Sequence, residues 1–304
     1  MRVLIAIDGS EGSFEALDQV VPLLRADRDQ VALYCRPPQV EVHSANVATQ
    51  MVSETREFLA NKMFSEARRR MPVGLAEAAR TIVGQQDPWR GIILAAQQSS
   101  ADLIVLGARG LSRLQRLLLG SVSRAVVHAA DIPVWVARPR TAKASGPRVL
   151  LASESPENAA GAARLLTQLA WPADARFSVM AVIHSIFAGA VPLWLEEQSR
   201  SPDVEATVQH WVQKHDEELR GNSQRMQAFI DSLSPPLRGA HLAITEGDPA
   251  ESILAAAAQE QSDLVVVGTR QKWSLGSEIL GSVSEAVLNH AHCSVLVVPR
   301  AETP

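Results

Sequence analysis

The chain has 304 residues, 46% hydrophobic and 20% charged, a globular balance whose length suits two domains of about 150 residues. Its formal charge of −4 supplies no global positive field to hold a nucleic-acid backbone, and it contains no run of about 18 apolar residues to span a bilayer. The opening residues run straight into an apolar strand without a signal-peptide layout, so the sequence reads as cytoplasmic and soluble. In chain order, buried strands are expected at 3–7 (VLIAI), 31–35 (VALYC), 79–83 (ARTIV), 102–107 (DLIVLG) and 133–137 (PVWVA). Ser10 is placed to cap the first helix, Asp87 and Pro88 to open another, and Ser121 to begin the last one of this set. Continuous apolar strands separated by helical segments indicate a parallel sheet covered on both faces. The fold class is therefore α/β, with a doubly wound five-stranded sheet of Rossmann-like type that binds ligands beyond the carboxyl ends of its strands.

The pattern then recurs. Asp102 matches Asp263, Gly107 matches Gly268, Gly120 matches Gly281 and Ser121 matches Ser282, each pair 161 positions apart with no gap. The strand starting at Arg2 is repeated from Arg148, an offset of 146. The second copy thus carries about 15 extra residues, which fall most naturally between 188 and 221. The polar Pro- and Gly-bounded stretch at 139–147 suits a linker, giving domains at 1–140 and 147–304. Cys35 and Cys293, one per half, lie in or beside apolar strands and read as buried thiols.

The chemistry concentrates after the fourth strand. Gly107 and Gly110 are followed, after nine intervening residues, by Gly120, Ser121, Val122 and Ser123 at a helix start. Polyphosphate must approach backbone N–H groups closely, and glycine lets it. The helix beginning at Ser121 adds unpaired N–H groups and a positive dipole end, and the hydroxyls of Ser121 and Ser123 are potential donors to phosphate oxygens. The spacing is neither of the two better-known phosphate patterns, G-x-x-x-x-G-K-[ST] or G-x-G-x-x-G.

On these residues the sequence resembles the universal stress protein family, whose nucleotide-binding members carry G-x-x-G-(x)9-G-[ST] at this place. The resemblance covers both halves. It implies ATP as ligand, leaving open whether ADP or AMP is resident and whether Mg2+ accompanies it, and it gives Asp8, at the end of the first strand, a role at the adenosine portion. The base side, Tyr34 to Pro37, is more polar than the family pattern, so Arg36 is a candidate for the base or the phosphate. Arg109, Arg113 and Arg116 lie in the loop, with Arg109 the best placed to offset phosphate charge. In the second half Gln271 replaces the second glycine, Trp273 adds bulk and Glu154 replaces Asp8, which argues against ATP there.

The remaining candidates are weaker. His290 and His292 beside Cys293, and His210 with His215, have poor spacing for a metal site. The stretch from Trp194 to Trp211 suits either a partner surface or the anchor of a long helix. The resemblance implies an ATP-binding module of stress response, regulatory or interacting with protein partners it does not identify. A nucleotide-free scaffold and a slow ATPase are the alternatives, the last lacking a P-loop lysine and an evident base for water. The apolar final strands, 133–137 and 294–298, are expected to meet so that one chain forms an intramolecular pseudo-dimer, with further homodimerisation left open.

Overall fold

The computed structural model describes residues 1–38, 48–109, 119–140, 146–183, 202–269 and 280–300. The first half runs β1 (Arg2–Ile7), α1 (Glu11–Val20), β2 (Gln30–Cys35), α2 (Ala48–Arg69), α3 (Val73–Ala78), β3 (Arg80–Val83), α4 (Pro88–Gln98), β4 (Leu103–Gly107), α5 (Ser121–Ala129) and β5 (Val134–Ala137). The second runs β6 (Arg148–Ala152), α6 (Pro156–Gln168), β7 (Arg176–Ile183), α7 (Pro202–Ser232), β8 (His241–Glu246), α8 (Pro249–Gln259), β9 (Leu264–Gly268), α9 (Ser282–His290) and β10 (Ser294–Val298). All five strands read from the sequence of the first half are present.

The strands form a single sheet in the order β3-β2-β1-β4-β5-β10-β9-β6-β7-β8. Replacing each strand by its repeat counterpart reads that order backwards, which is the signature of a pseudo-two-fold. Neighbours within each half are parallel. The two halves meet through β5 and β10, which pair antiparallel with Val134 opposite Val297, Trp135 opposite Leu296 and Val136 opposite Val295. The tandem Rossmann-like units are thus packed as the expected pseudo-dimer, and their sheets fuse into one.

Strand alternation splits the core into two layers. Val3, Ile5 and Ile7 face Leu17 and Val20 of α1, while Leu4 and Ala6 face Ile92 of α4 and Val126 of α5. The second half repeats this, with Val149 and Leu151 against Leu166 of α6 and with Leu150 and Ala152 against Ile253 of α8 and Val287 of α9.

Helix starts follow the capping residues. Ser10 Oγ accepts from Ser13 N at 3.2 Å and Asp248 Oδ1 accepts from Glu251 N at 2.9 Å. Asp87 begins α4 as expected, but its side chain accepts no capping bond. The helix before β8 has 31 residues against 22 in its counterpart α2, so part of the extra length is helix. Trp194, and the side chain of Trp211, lie outside what is described.

Polar bonds flank the β5–β10 ladder. Ser294 Oγ donates to Gln19 Oε1 at 2.7 Å, Gln19 Nε2 donates to the Arg138 carbonyl at 2.7 Å, and Arg138 N donates to Ser294 Oγ at 3.1 Å. Arg140 Nε donates to Asp263 Oδ1 at 3.1 Å, and His128 Nε2 lies 2.9 Å from Glu285 Oε2.

Leu296 is fully buried at this junction. Leu296→Ala is expected to lower unfolding free energy by about 2–5 kcal/mol, as large-to-small changes in a packed core do. Urea titration followed by circular dichroism checks this, and a loss under about 1 kcal/mol would mean that the junction is not packed as a core.

Candidate functional site

A cavity of about 290 Å³ opens beyond the carboxyl ends of β1 and β4. Its wall is built from Asp8, Tyr34, Arg36, Ile92, Gly107 and Arg109, with the start of α5 from Gly120 to Ser123 closing one side. Of the residues singled out in the sequence, Asp8, Gly107, Arg109, Gly120, Ser121, Val122 and Ser123 all line this one cavity. Gly110, Arg113 and Arg116 fall outside the described residues.

The loop is tight because backbones nearly touch. A Cβ on Gly107 would come within 2.7 Å of the carbonyl of Gly12 in α1 and 3.1 Å of the Arg109 carbonyl. A Cβ on Gly120 would meet the Ala108 carbonyl at 3.2 Å, the same carbonyl to which Gly120 N donates at 2.8 Å. At Gly107 only a residue without a side chain fits without a backbone shift, and at Gly120 any side chain is tightly met. Gly120 is the N-cap of α5, it supplies no side-chain cap, and the first backbone bond of the helix runs from Arg124 N to the Gly120 carbonyl. The amides of Ser121, Val122 and Ser123 therefore have no acceptor among the described residues, which makes them the orphan donors of a helix start.

Side chains divide into those committed within the protein and those facing the cavity. Asp8 Oδ1 accepts from Ser10 N at 2.9 Å and Ser10 Oγ at 2.5 Å, so half of the carboxylate fixes the turn into α1. Asp8 Oδ2 takes no hydrogen bond among the described residues. Ser123 is buried and its hydroxyl donates to the Gly107 carbonyl at 2.8 Å, tying β4 to α5. That bond occupies the proton that the sequence reading assigned to phosphate. Ser284 repeats it on the Gly268 carbonyl at 2.7 Å. Ser121 lines the cavity and is exposed.

The far wall holds a residue whose setting the sequence does not show. The Tyr34 phenol lodges between Gly84 and Gly91, where any Cβ would overlap its hydroxyl. Burial raises its pKa, and the hydroxyl has no hydrogen-bond partner among the described residues. Arg36 is half-buried beside it, its Nε without a partner among the described residues. The glycines are separate in sequence from the phosphate-like loop, so only the three-dimensional contact links them to the cavity.

The equivalent cavity of the second half measures about 100 Å³. By the pairing of β6 with β7, Val182 takes the place of Arg36, and by the repeat offset Asn158 takes the place of Gly12. Asn158 Nδ2 donates to Glu154 Oε1 at 2.8 Å, so the two substitutions fill the mouth together. Comparing the two helix starts by sequence offset would have found the Gly12 difference. Gln271 and Trp273 lie outside the described residues.

Two expectations elsewhere resolve differently. Cys35 is fully buried as read, whereas Cys293 is partly exposed, a correction that arises because it precedes β10 and lies at a cleft between the halves. No group of three or more His, Cys, Asp or Glu placed to hold a metal occurs among the described residues. No described helix is long and apolar enough to cross a membrane.

This doubly wound architecture, duplicated and with a glycine-bounded helix start at the carboxyl end of β4, defines a tandem Rossmann-like α/β protein. The universal stress protein family matches residues 1–138 and again 147–299, and the chain belongs to that family. Universal stress protein YxiE of Bacillus subtilis is 29% identical over 146 residues, covering 45% of this chain and 98% of that protein. Universal stress protein Slr1101 of Synechocystis is 49% identical over 53 residues, a match spanning 17% of this chain and about half (49%) of the relative. The crystal structure of a universal stress protein from Archaeoglobus fulgidus superposes with a TM-score of 0.58 at 19% identity, covering 99% of this chain and 97% of that one.

Glycine crowding separates the halves experimentally. Gly107→Ala is expected to cost about 1–3 kcal/mol, because its Cβ meets backbone that cannot swing away. Gly268→Ala, whose nearest neighbour would be 3.7 Å away, should change stability by less than about 0.5 kcal/mol. Equal urea midpoints for the two variants would contradict the close approach of β4 to α1.

Proposed function

We propose that the first-half cavity binds one adenine nucleotide, ATP in the leading reading, and that the chain acts in stress response as a nucleotide-dependent regulatory or interaction module. The observation that carries this reading is the uncapped start of α5, held against Gly107 and Gly120 at the rim of a cavity that also presents Asp8 and two arginines. Three orphan amides and a helix dipole attract phosphate oxygens. The sequence motif assigns Gly110 to the phosphate side, where the Ser121 hydroxyl is proposed to join it, and Ser123 positions the helix through its bond to Gly107. Arg109 offsets polyphosphate charge. Asp8 Oδ2 accepts from ribose hydroxyls while Oδ1 stays on Ser10. The base lies toward Ile92, Tyr34 and Arg36.

Magnesium, where it accompanies a triphosphate, would sit mainly on phosphate oxygens and water, as this ion commonly does. The proposed domains are 1–140, carrying the nucleotide, and 147–304, whose cavity is narrowed by the Glu154–Asn158 pair and carries none. The role proposed is binding rather than catalysis, with the wall carboxylate Asp8 assigned to the ribose.

Titration calorimetry with ATP on the full chain is expected to give a stoichiometry near one. Asp8→Asn keeps the acceptor for Ser10 but removes the charge and one ribose acceptor, so affinity should fall roughly tenfold to a hundredfold, about 1.5–3 kcal/mol. Glu154→Gln should leave binding unchanged. A stoichiometry near two, or an unaffected Asp8→Asn, would overturn the assignment.

A further inference from the structure

The two cysteines sit in opposite environments. Cys35 is fully buried in β2, and burial pushes its thiol up to about 12, which leaves it protonated and inert. Cys293 is partly exposed in a cleft lined by Arg124, Arg140, His290 and His292. The β5–β10 register, with Val136 opposite Val295, carried two residues further sets Arg138 opposite Cys293. The bond from Arg138 N to Ser294 Oγ holds that alignment. Cross-strand neighbours of this kind interact through their side chains.

Arg138 is an unusual neighbour. It is only 8% exposed, Nη2 donates to the Leu288 carbonyl at 2.7 Å, and Nη1 has no partner among the described residues. Burial lowers its pKa, the charge of Cys293 opposes that shift, and Arg109 reinforces it. A buried guanidinium stays charged and is costly to leave without an anion. The carboxylates nearby are engaged elsewhere, Glu285 with His128 and Arg124 and Asp263 with Arg140 and Arg148 N. The pair is also unique to one side of the pseudo-two-fold. At the 161-residue offset Cys293 corresponds to Ile132 and Arg138 to Pro299.

We propose that Cys293 is a nucleophilic thiol at the junction of the halves that exchanges with anionic small-molecule disulfides of the oxidised-glutathione class, with Arg138 as the counter-ion of its thiolate. The thiol proton goes to solvent, and the thiolate sulfur attacks one sulfur of the disulfide. A new S–S bond forms as the old one breaks, and the displaced half leaves as a thiolate. Cys293 is oxidised to a mixed disulfide and one half of the reagent is reduced, so no further oxidant is needed. The cleft carries Arg124, Arg140, His290 and His292 beside one carboxylate, Asp263, which Arg140 already pairs, and this surplus of basic side chains suits a reagent that carries carboxylates.

The test uses the intact chain and oxidised glutathione, read by mass spectrometry, with an aromatic carboxylate disulfide giving rates by absorbance. One adduct per chain is expected, on Cys293, with Cys35 modified only after denaturation. Cys35→Ser should retain the reaction and Cys293→Ser should abolish it. Arg138→Met is expected to slow modification at least tenfold, whereas Arg138→Lys, which keeps the charge, should retain most of the rate. If Arg138→Met does not fold, the parent's rate against ionic strength replaces it, and a fall with added salt is the supporting result. Modification of neither thiol in the folded chain, an Arg138→Met rate equal to the parent, or a rate indifferent to salt would overturn the proposal.

Discussion

Peptide groups along the outer edges of β5 and β10 need hydrogen-bond partners, and water cannot reach strands whose residues are all buried. The antiparallel ladder between these strands meets that need for both at once. Much else depends on it. The ladder places Trp135 over Leu296, brings Gln19 to Ser294 and Arg138, and sets α5 beside α9 so that His128 meets Glu285. Because both strands belong to one chain, their meeting does not depend on protein concentration as it would between separate subunits. The short, exposed β3 and the partly exposed β8 are left at the ends of the sheet, where unpaired edges carry less risk of association.

The two copies share this framework and differ where backbone comes closest to a ligand-sized space. In the first, Gly12 lets the backbone of α1 approach Gly107 closely. In the second, Asn158 at the same place turns its amide onto Glu154. The two cavities measure about 290 and 100 Å³, and their linings differ at this position and at Asp8, where the second half has Glu154. The structural serine bonds, Ser123 to Gly107 and Ser284 to Gly268, persist in both. Parts that hold the helix to the strand have been kept, while parts that shape the opening have diverged.

Periodicity and repetition made the fold legible in the sequence. Apolar runs located the strands, offsets of 146 and 161 paired the halves, and the apolar final strands announced their contact. The cavity was legible where it depends on glycine and on strand ends, as at Asp8, Gly107 and Gly120. What escaped was through-space. Nothing local to Tyr34 reveals that Gly84 and Gly91 make room for its phenol. Ser123 looks like a phosphate donor in sequence because the carbonyl that takes its proton lies sixteen residues earlier. The exposure of Cys293 depends on a cleft formed by two halves, which a strand-by-strand reading does not contain.

The reversal of direction at the centre of the sheet has a geometric outcome for the whole molecule. Strands in one half all run opposite to strands in the other, so their carboxyl ends, and the two cavities there, point toward opposite poles. The helix layers are not exchanged by this operation, since α1 and α6 share one flank and α5 and α9 the other. The molecule is therefore bipolar with uniform flanks. The two mouths open away from each other, and what joins the poles is the β5–β10 ladder together with the side-chain bonds beside it, such as His128 to Glu285.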